Sequence, residues 1–186
     1  LRLDAEVVRD SVLAVGGSLD FARSGPDIDY VEGEKVLRRS LYFRHAYEKQ
    51  MRMLTLFDAA SPNECYRRTI SIVPQQALAL ANSPMVVAQS RKLAATLSAD
   101  SAIADDSAFV TAGFETVLSR PPTADEVAAC VEFLSAERGR LAQTGTLSSF
   151  DAGPAIDTPP AADPAQRARE NLVQVLINHT DFVTRR

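Results

Sequence analysis

The sequence lacks several features that would point directly to a function. It has two cysteines, no tryptophan and only eight glycines. It contains no C-x-x-C pair, no glycine-rich phosphate loop and no G-x-S-x-G nucleophile motif. Its apolar runs are interrupted well before the roughly 20 residues that a membrane-spanning helix needs. We therefore expect no cofactor, no metal site, no catalytic residue and no membrane span in this chain.

The two cysteines and two histidines do not form a recognisable site either. Cys130 shares a helical face with Val127, Val131 and Leu134, so we expect a small buried core residue. A disulfide between Cys65 and Cys130 is possible if the protein is exported. His179 is spaced to lie on an apolar helical face, which favours a partly buried structural role over metal binding.

What the 186 residues do contain favours helices. The chain is 46% hydrophobic but only 6% aromatic, so its core must consist mainly of Leu, Val and Ala. The net charge is −4, yet residues 35–68 carry eight Lys or Arg against three acidic residues. A domain that binds nucleic acid is usually basic overall, so we expect no nucleic-acid partner. The basic region is interpreted as solvated or as facing the acidic residues of positions 98–163.

Periodicity and capping signals predict a mostly α fold. They indicate one helical domain over residues 1–186, with about six to eight helices and at most a short strand pair near residues 39–44. Capping boxes are predicted at residues 61–64, 123–126 and 163–166. Residues 143–162, rich in Gly, Ser, Thr and Pro, are predicted to form a flexible loop. The apolar faces of the helices are expected to bury, among others, Val7, Leu78 and Val175.

A polar cluster stands out between residues 58 and 82, around three predicted helix starts. Its candidate ligand-binding residues are Asp58, Asn63, Arg67, Arg68, Gln75 and Gln76. These groups could bind an acidic or hydroxyl-rich ligand in a cleft. The structural alternative is favoured, because buried helix ends need such polar partners in any case. For residues 71–84, SIVPQQALALANSP, we predict a helix that starts at Pro74 and whose two glutamines hold neighbouring backbone.

The chain also resembles a known family. The segments that carry the resemblance are LDAEVVRDSVLAVGGSLD, RRSLYFRHAYEKQMRMLTLFDAASPNECYRRTISIVPQQALALANSP, VLSRPPTADE and ENLVQVLINHTDFV. They resemble the planctomycete-type domain of unknown function called PSD-one, and the chain looks like the C-terminal half of that domain. The resemblance implies an exported multidomain parent, located in the periplasm or at the cell surface. It also implies neighbouring domains, one uncharacterised and often one cytochrome-c-like, but no reaction.

Three functional hypotheses follow. The leading one is a non-catalytic structural or ligand-binding module of an exported multidomain bacterial protein, whose partners are other domains of the same parent. The second is an enzyme domain that acts on polysaccharide at the cluster of residues 58–82, with cell-surface polysaccharide as the candidate ligand. The third is a docking surface for a cytochrome-c-like neighbour, formed by the basic residues 35–68.

Overall fold

The architecture is that of a helical bundle whose first two helices are joined by a long, irregular connection. The computed structural model describes residues 1–64, 68, 70–143, 145 and 156–184, and within these ranges it contains seven α-helices and no sheet. The helices are α1 Ala5–Val15, α2 Arg52–Leu56, α3 Pro74–Asn82, α4 Pro84–Ala99, α5 Asp106–Leu118, α6 Ala124–Ala142 and α7 Pro164–Ile177. The mostly α fold predicted from the sequence is confirmed, with 58% of the residues in helices.

Part of what the sequence predicts falls outside the described residues. Cys65 and Arg67 do so, as does most of the predicted flexible loop at residues 143–162. The pairing of Cys65 with Cys130 therefore stays open, although Cys130 packs against the core and burial raises the pKa of its thiol. In the part of the chain that the structure describes, no helix is long and apolar enough to cross a membrane.

The core forms where α7 packs along both α4 and α6, with α5 closing the bundle. The predicted stripe of α5 is buried along its whole length, from Phe109 to Leu118. Facing it, α7 contributes Leu172, Val173, Leu176 and Ile177, each at most 3% exposed. Burying one such aliphatic side chain stabilises a fold by roughly 1.5–3 kcal/mol. The last helix is therefore a large part of the core.

Three predicted core residues are exposed instead. Val7, Leu78 and Val175 are 44%, 59% and 56% exposed, so these predictions are wrong. The buried face of α1 includes Arg9 and Leu13, and Val7 does not lie on that face. In α3 the inward positions are taken by Gln76 and Leu80, which leaves Leu78 on the opposite side of the helix.

Most helix ends follow the chemistry that the sequence indicates. Gly17, at φ 68°, ends α1 in a Schellman motif, in which the N–H groups of Ser18 and Gly17 bond the carbonyls of Leu13 and Ala14. The box at Thr123 forms fully, and Asp163 caps α7 through its carboxylate. The box predicted at residues 61–64 does not form, because the Ser61 hydroxyl accepts from the Asn63 N–H and not from Glu64.

A fully buried arginine organises the irregular connection between α1 and α2. The guanidinium of Arg9 donates to the carbonyls of Gly33 (3.0 Å), Val36 and Arg38 (3.0 Å), and it lies 4.8 Å from the centre of the Phe43 ring. Burial lowers the pKa of Arg9 from its ordinary value. The side chain thus holds in place a segment that lacks a sheet of its own.

Asp10, next to Arg9, determines the conformation of residues 39–44. Its carboxylate accepts from the backbone N–H (2.8 Å) and the hydroxyl (2.6 Å) of Ser40. Residues Ser40–Tyr42 consequently form a 3₁₀ helix, and the pairing of strands is reduced to an isolated bridge between Ile28 and Phe43. The Ser40 N–H, which would donate to a neighbouring strand in a sheet, donates to the Asp10 side chain instead.

A second arginine joins three elements at the other end of the bundle. Arg120, just after α5, donates through Nε to Asp181 (2.8 Å) and through both terminal nitrogens to Glu126 in the first turn of α6 (2.7 and 2.6 Å). Asp181 belongs to the 3₁₀ helix Thr180–Val183, which follows α7. The hydrogen bond from Arg120 is the main cause that lowers the pKa of Glu126 from 4.5 to about 2.

This network predicts an acid-dependent loss of stability. A carboxyl group whose pKa is lowered by folding stabilises the native state above its unfolded pKa of 4.5, and this contribution disappears as the pH falls towards about 2. We expect Glu126→Gln to have a lower melting temperature than the wild type at neutral pH and to converge with it near pH 2. Thermal melts from neutral to acid pH measure this. Glu132→Gln, at an exposed position on the same helix, is the control. A difference in melting temperature between Glu126→Gln and the wild type that stays constant from neutral pH to pH 2 would contradict the interpretation.

Candidate functional site

The predicted polar cluster is a hydrogen-bonded corner between α2 and α3, which we call the Asp58 corner (Arg2, Asp58, Ser71 and Gln76). Asp58 follows α2 in the left-handed region, at φ 62°. One carboxylate oxygen accepts from the Ser71 N–H (2.8 Å), and both accept from the Ser71 hydroxyl (2.8 and 3.0 Å). Asp58 therefore fixes the chain that leads into α3.

Gln76 is the buried centre of this corner. Its side chain is 4% exposed, and its amide nitrogen donates to the carbonyl of Leu56 (2.8 Å). Its amide oxygen accepts from the N–H of Val73 (3.3 Å) and from Nη2 of Arg2 (2.5 Å). One amide thus bonds a loop carbonyl and a free N–H before α3, because it offers a donor and an acceptor together. Gln76 therefore makes the contacts to neighbouring backbone that the sequence predicts.

The other candidate residues are not part of the corner. Gln75 is exposed, and the described residues show no hydrogen bond of its side chain, so the role predicted for it is not found. Arg68 pairs with Glu6 (2.8 Å) and Asp4 (3.6 Å) at the start of α1. Asn63 is exposed, and Arg67 lies outside the described residues. Of the five candidates that the structure describes, it brings only Asp58 and Gln76 together, at 3.5 Å.

The Asp58 corner is better suited to holding the backbone in place than to catalysing a reaction. Both oxygens of Asp58 are held by Ser71, and neither amide atom of Gln76 can act as an acid, a base or a nucleophile. Among the residues that the structure describes, no three His, Cys, Asp or Glu side chains lie close enough to hold a metal ion. Arg2 and Ser71 complete the arrangement, and neither was identified from the sequence.

The basic region at residues 35–68 is partly neutralised. Arg44 pairs with Asp27 (2.5 Å), and Arg39 lies 3.7 Å from Asp10. Arg38 stacks 4.0 Å from the Tyr42 ring centre and bonds two loop carbonyls. These arginines therefore hold the irregular connection, which reduces the positive charge available for an acidic partner.

Close to the corner in sequence, four large apolar side chains are exposed, and we call this set the apolar strip (Ile70, Ile72, Val73 and Leu78). Their exposed fractions are 67%, 89%, 37% and 59%. Residues 70–73 precede α3, and their backbone is held by Asp58, Gln76 and Arg2. The strip was missed from the sequence, where Leu78 was assigned to the core.

Comparison with known protein families identifies the chain. A family model named PSD1, described as "Protein of unknown function (DUF1553)", matches residues 1–134, which is well over half of the sequence. The chain belongs to the PSD1 family. Neither a search of curated proteins nor a search of solved structures found a match.

The PSD1 match ends inside α6, but helical structure that belongs to the same bundle continues beyond it. The matched residues include the Asp58 corner, the apolar strip and the buried Arg9. Helix α7 and the 3₁₀ helix Thr180–Val183 lie beyond the match. Since α7 packs along both α4 and α6, the PSD1 residues in this chain are completed by a segment outside the family match.

The two adjacent glutamines of this PSD1 chain give a direct test of the corner. We expect Gln76→Ala to lower the free energy of unfolding by about 1–3 kcal/mol, because it leaves buried groups without partners. Gln75→Ala is the matched control, and at this exposed position we expect a change within about 0.5 kcal/mol. Urea denaturation of the two variants measures the difference. Equal stabilities would mean that the bonds of Gln76 contribute nothing to the fold.

Proposed function

We propose that this PSD1 domain is a non-catalytic module of an exported multidomain protein, and that it docks against another domain of the same parent through the apolar strip. The observation that carries the proposal is the exposure of four large apolar side chains on a rigid backbone. Ile72, at 89% exposed, lies between Ser71 and Val73, whose backbone groups are held by part-buried hydrogen bonds to Arg2 and Gln76.

The energetics of the strip favour a partner in the same chain. Full burial of each large aliphatic side chain would contribute roughly 1.5–3 kcal/mol. Association between separate molecules loses much of such a gain to translational and rotational entropy. A partner domain on the same polypeptide avoids most of that cost, because its effective concentration is high. The rigid Asp58 corner reduces the entropic cost of binding further, since the strip needs little ordering when it binds.

The same geometry supports a docking role over the two alternatives. An enzyme acting on polysaccharide at residues 58–82 would need an available acid or base, and the carboxylate of Asp58 is engaged by Ser71. Docking of an acidic cytochrome-c-like domain would need free positive charge. Arg39 and Arg44, however, are paired with acidic residues of their own chain.

Hydrogen exchange in the parent protein tests the docking. We expect the amides of residues 70–78 to exchange more slowly in the full-length parent than in this chain alone. Leu78→Asp should remove that protection by placing a charge in the interface. Leu41→Asp is a matched control, because Leu41 is similarly exposed, at 56% against 59% for Leu78. Equal exchange in the two contexts, or equal effects of the two substitutions, would refute the docking.

Export to the periplasm or the cell surface is the second part of the proposal. It is supported by the family resemblance of segments such as VLSRPPTADE, and it does not depend on the apolar strip. Fractionation of the producing cells, with an antibody against this domain, tests it. Recovery of the parent protein in the cytoplasmic fraction would refute export while leaving the docking untouched.

A further inference from the structure

A pocket lies at the far end of α5, between α1 and the 3₁₀ helix Thr180–Val183. Its volume is about 350 Å³, in the lower range of small-molecule sites. The residues that the argument uses are Ser11, Val15, Thr116, Ser119, Asp181 and Phe182.

The walls of this pocket are held in place by defined bonds. The N–H of Leu3 donates to the carbonyl of Val183 (2.9 Å), which ties the start of the chain to the 3₁₀ helix. Arg120 bonds Asp181 from the end of α5 (2.8 Å). Phe182, at 5% exposed, anchors the 3₁₀ helix in the core. The pocket is thus formed by three elements that are already joined to one another.

Four residues that carry a hydroxyl group line the pocket, namely Ser11, Thr116, Ser119 and Thr184. A serine or threonine in a helix often donates to the carbonyl four residues before it, as Ser90 does to Val86 (2.9 Å) and Thr111 to Ser107 (3.0 Å). In the part of the chain that the structure describes, Ser11 and Thr116 show no such bond. Their hydroxyls are therefore available to a ligand, as donors and as acceptors.

Ser119 adds an independent observation. It ends α5 in the left-handed conformation, at φ 54°, where glycine is the usual residue. A serine held there is strained, and strained residues concentrate at binding sites. Ser119 is one of the residues that line the pocket, and a glycine there would carry no hydroxyl.

The charge of the pocket decides the class of ligand. Among the residues that the structure describes, Asp181 is the one charged residue that lines it, and Arg120 donates to that carboxylate through Nε. The remaining polar groups are hydroxyls, while Val15 and Phe182 belong to an apolar part of the lining. A sugar ring matches this arrangement, since it combines neutral hydroxyls with an apolar C–H face.

We propose that this pocket binds a small neutral polyhydroxylated ligand of the pyranose class. This goes beyond the docking proposed above and does not depend on it, because the apolar strip shares no residue with the pocket. A free monosaccharide and the terminal ring of a polysaccharide have the same chemistry here.

Saturation-transfer NMR with D-glucose, D-galactose, N-acetylglucosamine and cellobiose tests the proposal on the whole chain. We expect transfer to at least one neutral sugar and little to glucuronate, which differs from glucose by its charge. Tighter binding of cellobiose than of glucose would indicate the end of a polysaccharide, and the reverse a free monosaccharide. No transfer to any neutral sugar, or stronger transfer to glucuronate, would overturn the proposal.

Two substitutions separate binding from folding. We expect Thr116→Val and Ser119→Gly each to weaken sugar binding by about tenfold through loss of a hydroxyl. Ser119→Gly should melt no lower than the wild type, because glycine adopts this conformation without strain. Thr111→Val, on the same helix but outside the pocket, should bind normally. Wild-type affinity in both pocket variants would overturn the assignment.

Discussion

Replacing Arg9 with methionine is expected to lower the free energy of unfolding by about 3–5 kcal/mol, because each of the three carbonyl groups left without a donor costs about 1–3 kcal/mol. The guanidinium is fully buried and bonds the carbonyls of Gly33, Val36 and Arg38. Methionine fills a similar volume but leaves these carbonyls without a donor. Natural domains are stable by only about 5–15 kcal/mol, so the variant would lose a large fraction of its stability. Urea denaturation with a two-state fit measures it.

Arg39→Met is the control for this experiment. Arg9 and Arg39 each lie 3.7 Å from the Asp10 carboxylate, but the Arg39 side chain is half exposed. An exposed ion pair contributes about 0–1 kcal/mol, so we expect a small effect. Similar losses in the two variants would show that charge near Asp10, rather than the buried bonds of Arg9, stabilises the connection between α1 and α2.

Removing residues 144–186 is expected to abolish cooperative folding, even though the PSD1 family match ends at residue 134. The deletion takes away α7, whose Leu172, Val173, Leu176 and Ile177 are buried. At roughly 1.5–3 kcal/mol each, their loss is comparable to the entire stability of a domain. Circular dichroism melts of residues 1–143 should show no cooperative transition, whereas residues 1–184 should unfold cooperatively.

A pair of point variants tests the same contribution without deleting any chain. Val173→Ala should cost about 2 kcal/mol, because Val173 is fully buried. Val175→Ala, two residues away and 56% exposed, should change stability by no more than about 0.5 kcal/mol. A cooperative melt of residues 1–143, or equal costs of the two substitutions, would show that α7 is dispensable.

The sequence predicts the fold well where local chemistry and periodicity agree. The stripe of α5, the capping box at Thr123 and the start of α3 at Pro74 all appear in the structure. Each depends on residues within one or two helical turns. Short-range signals of this kind are sufficient for them.

The sequence is least informative where a side chain acts over a long separation. Arg9 bonds residues 24 to 31 positions away, and no local pattern shows that a charged residue is buried. Its spacing from Ala5 and Leu13, four residues in each direction, was the available signal. Ser40 could not be assigned to a 3₁₀ helix, because its backbone partner is the side chain of Asp10.

The candidate site was predicted only in part for a related reason. Gln76 lies in the first turn of α3, where a need for polar partners is expected from helix geometry. Gln75 is the same residue type in the same turn of α3, yet it faces solvent. Which of two adjacent amides points inward depends on where α2 ends, and the sequence of α3 does not contain that information.

The contact between the first and last described residues has an architectural consequence. Arg2 and Thr184 form an isolated bridge, and the Leu3 N–H donates to the Val183 carbonyl, so residues 2 and 184 lie side by side. A unit with such a narrow base can sit within a surface loop of a larger protein without forcing the flanking segments apart. The same proximity permits circular permutation: a short linker could join residues 184 and 2, and new ends could be opened in an exposed turn.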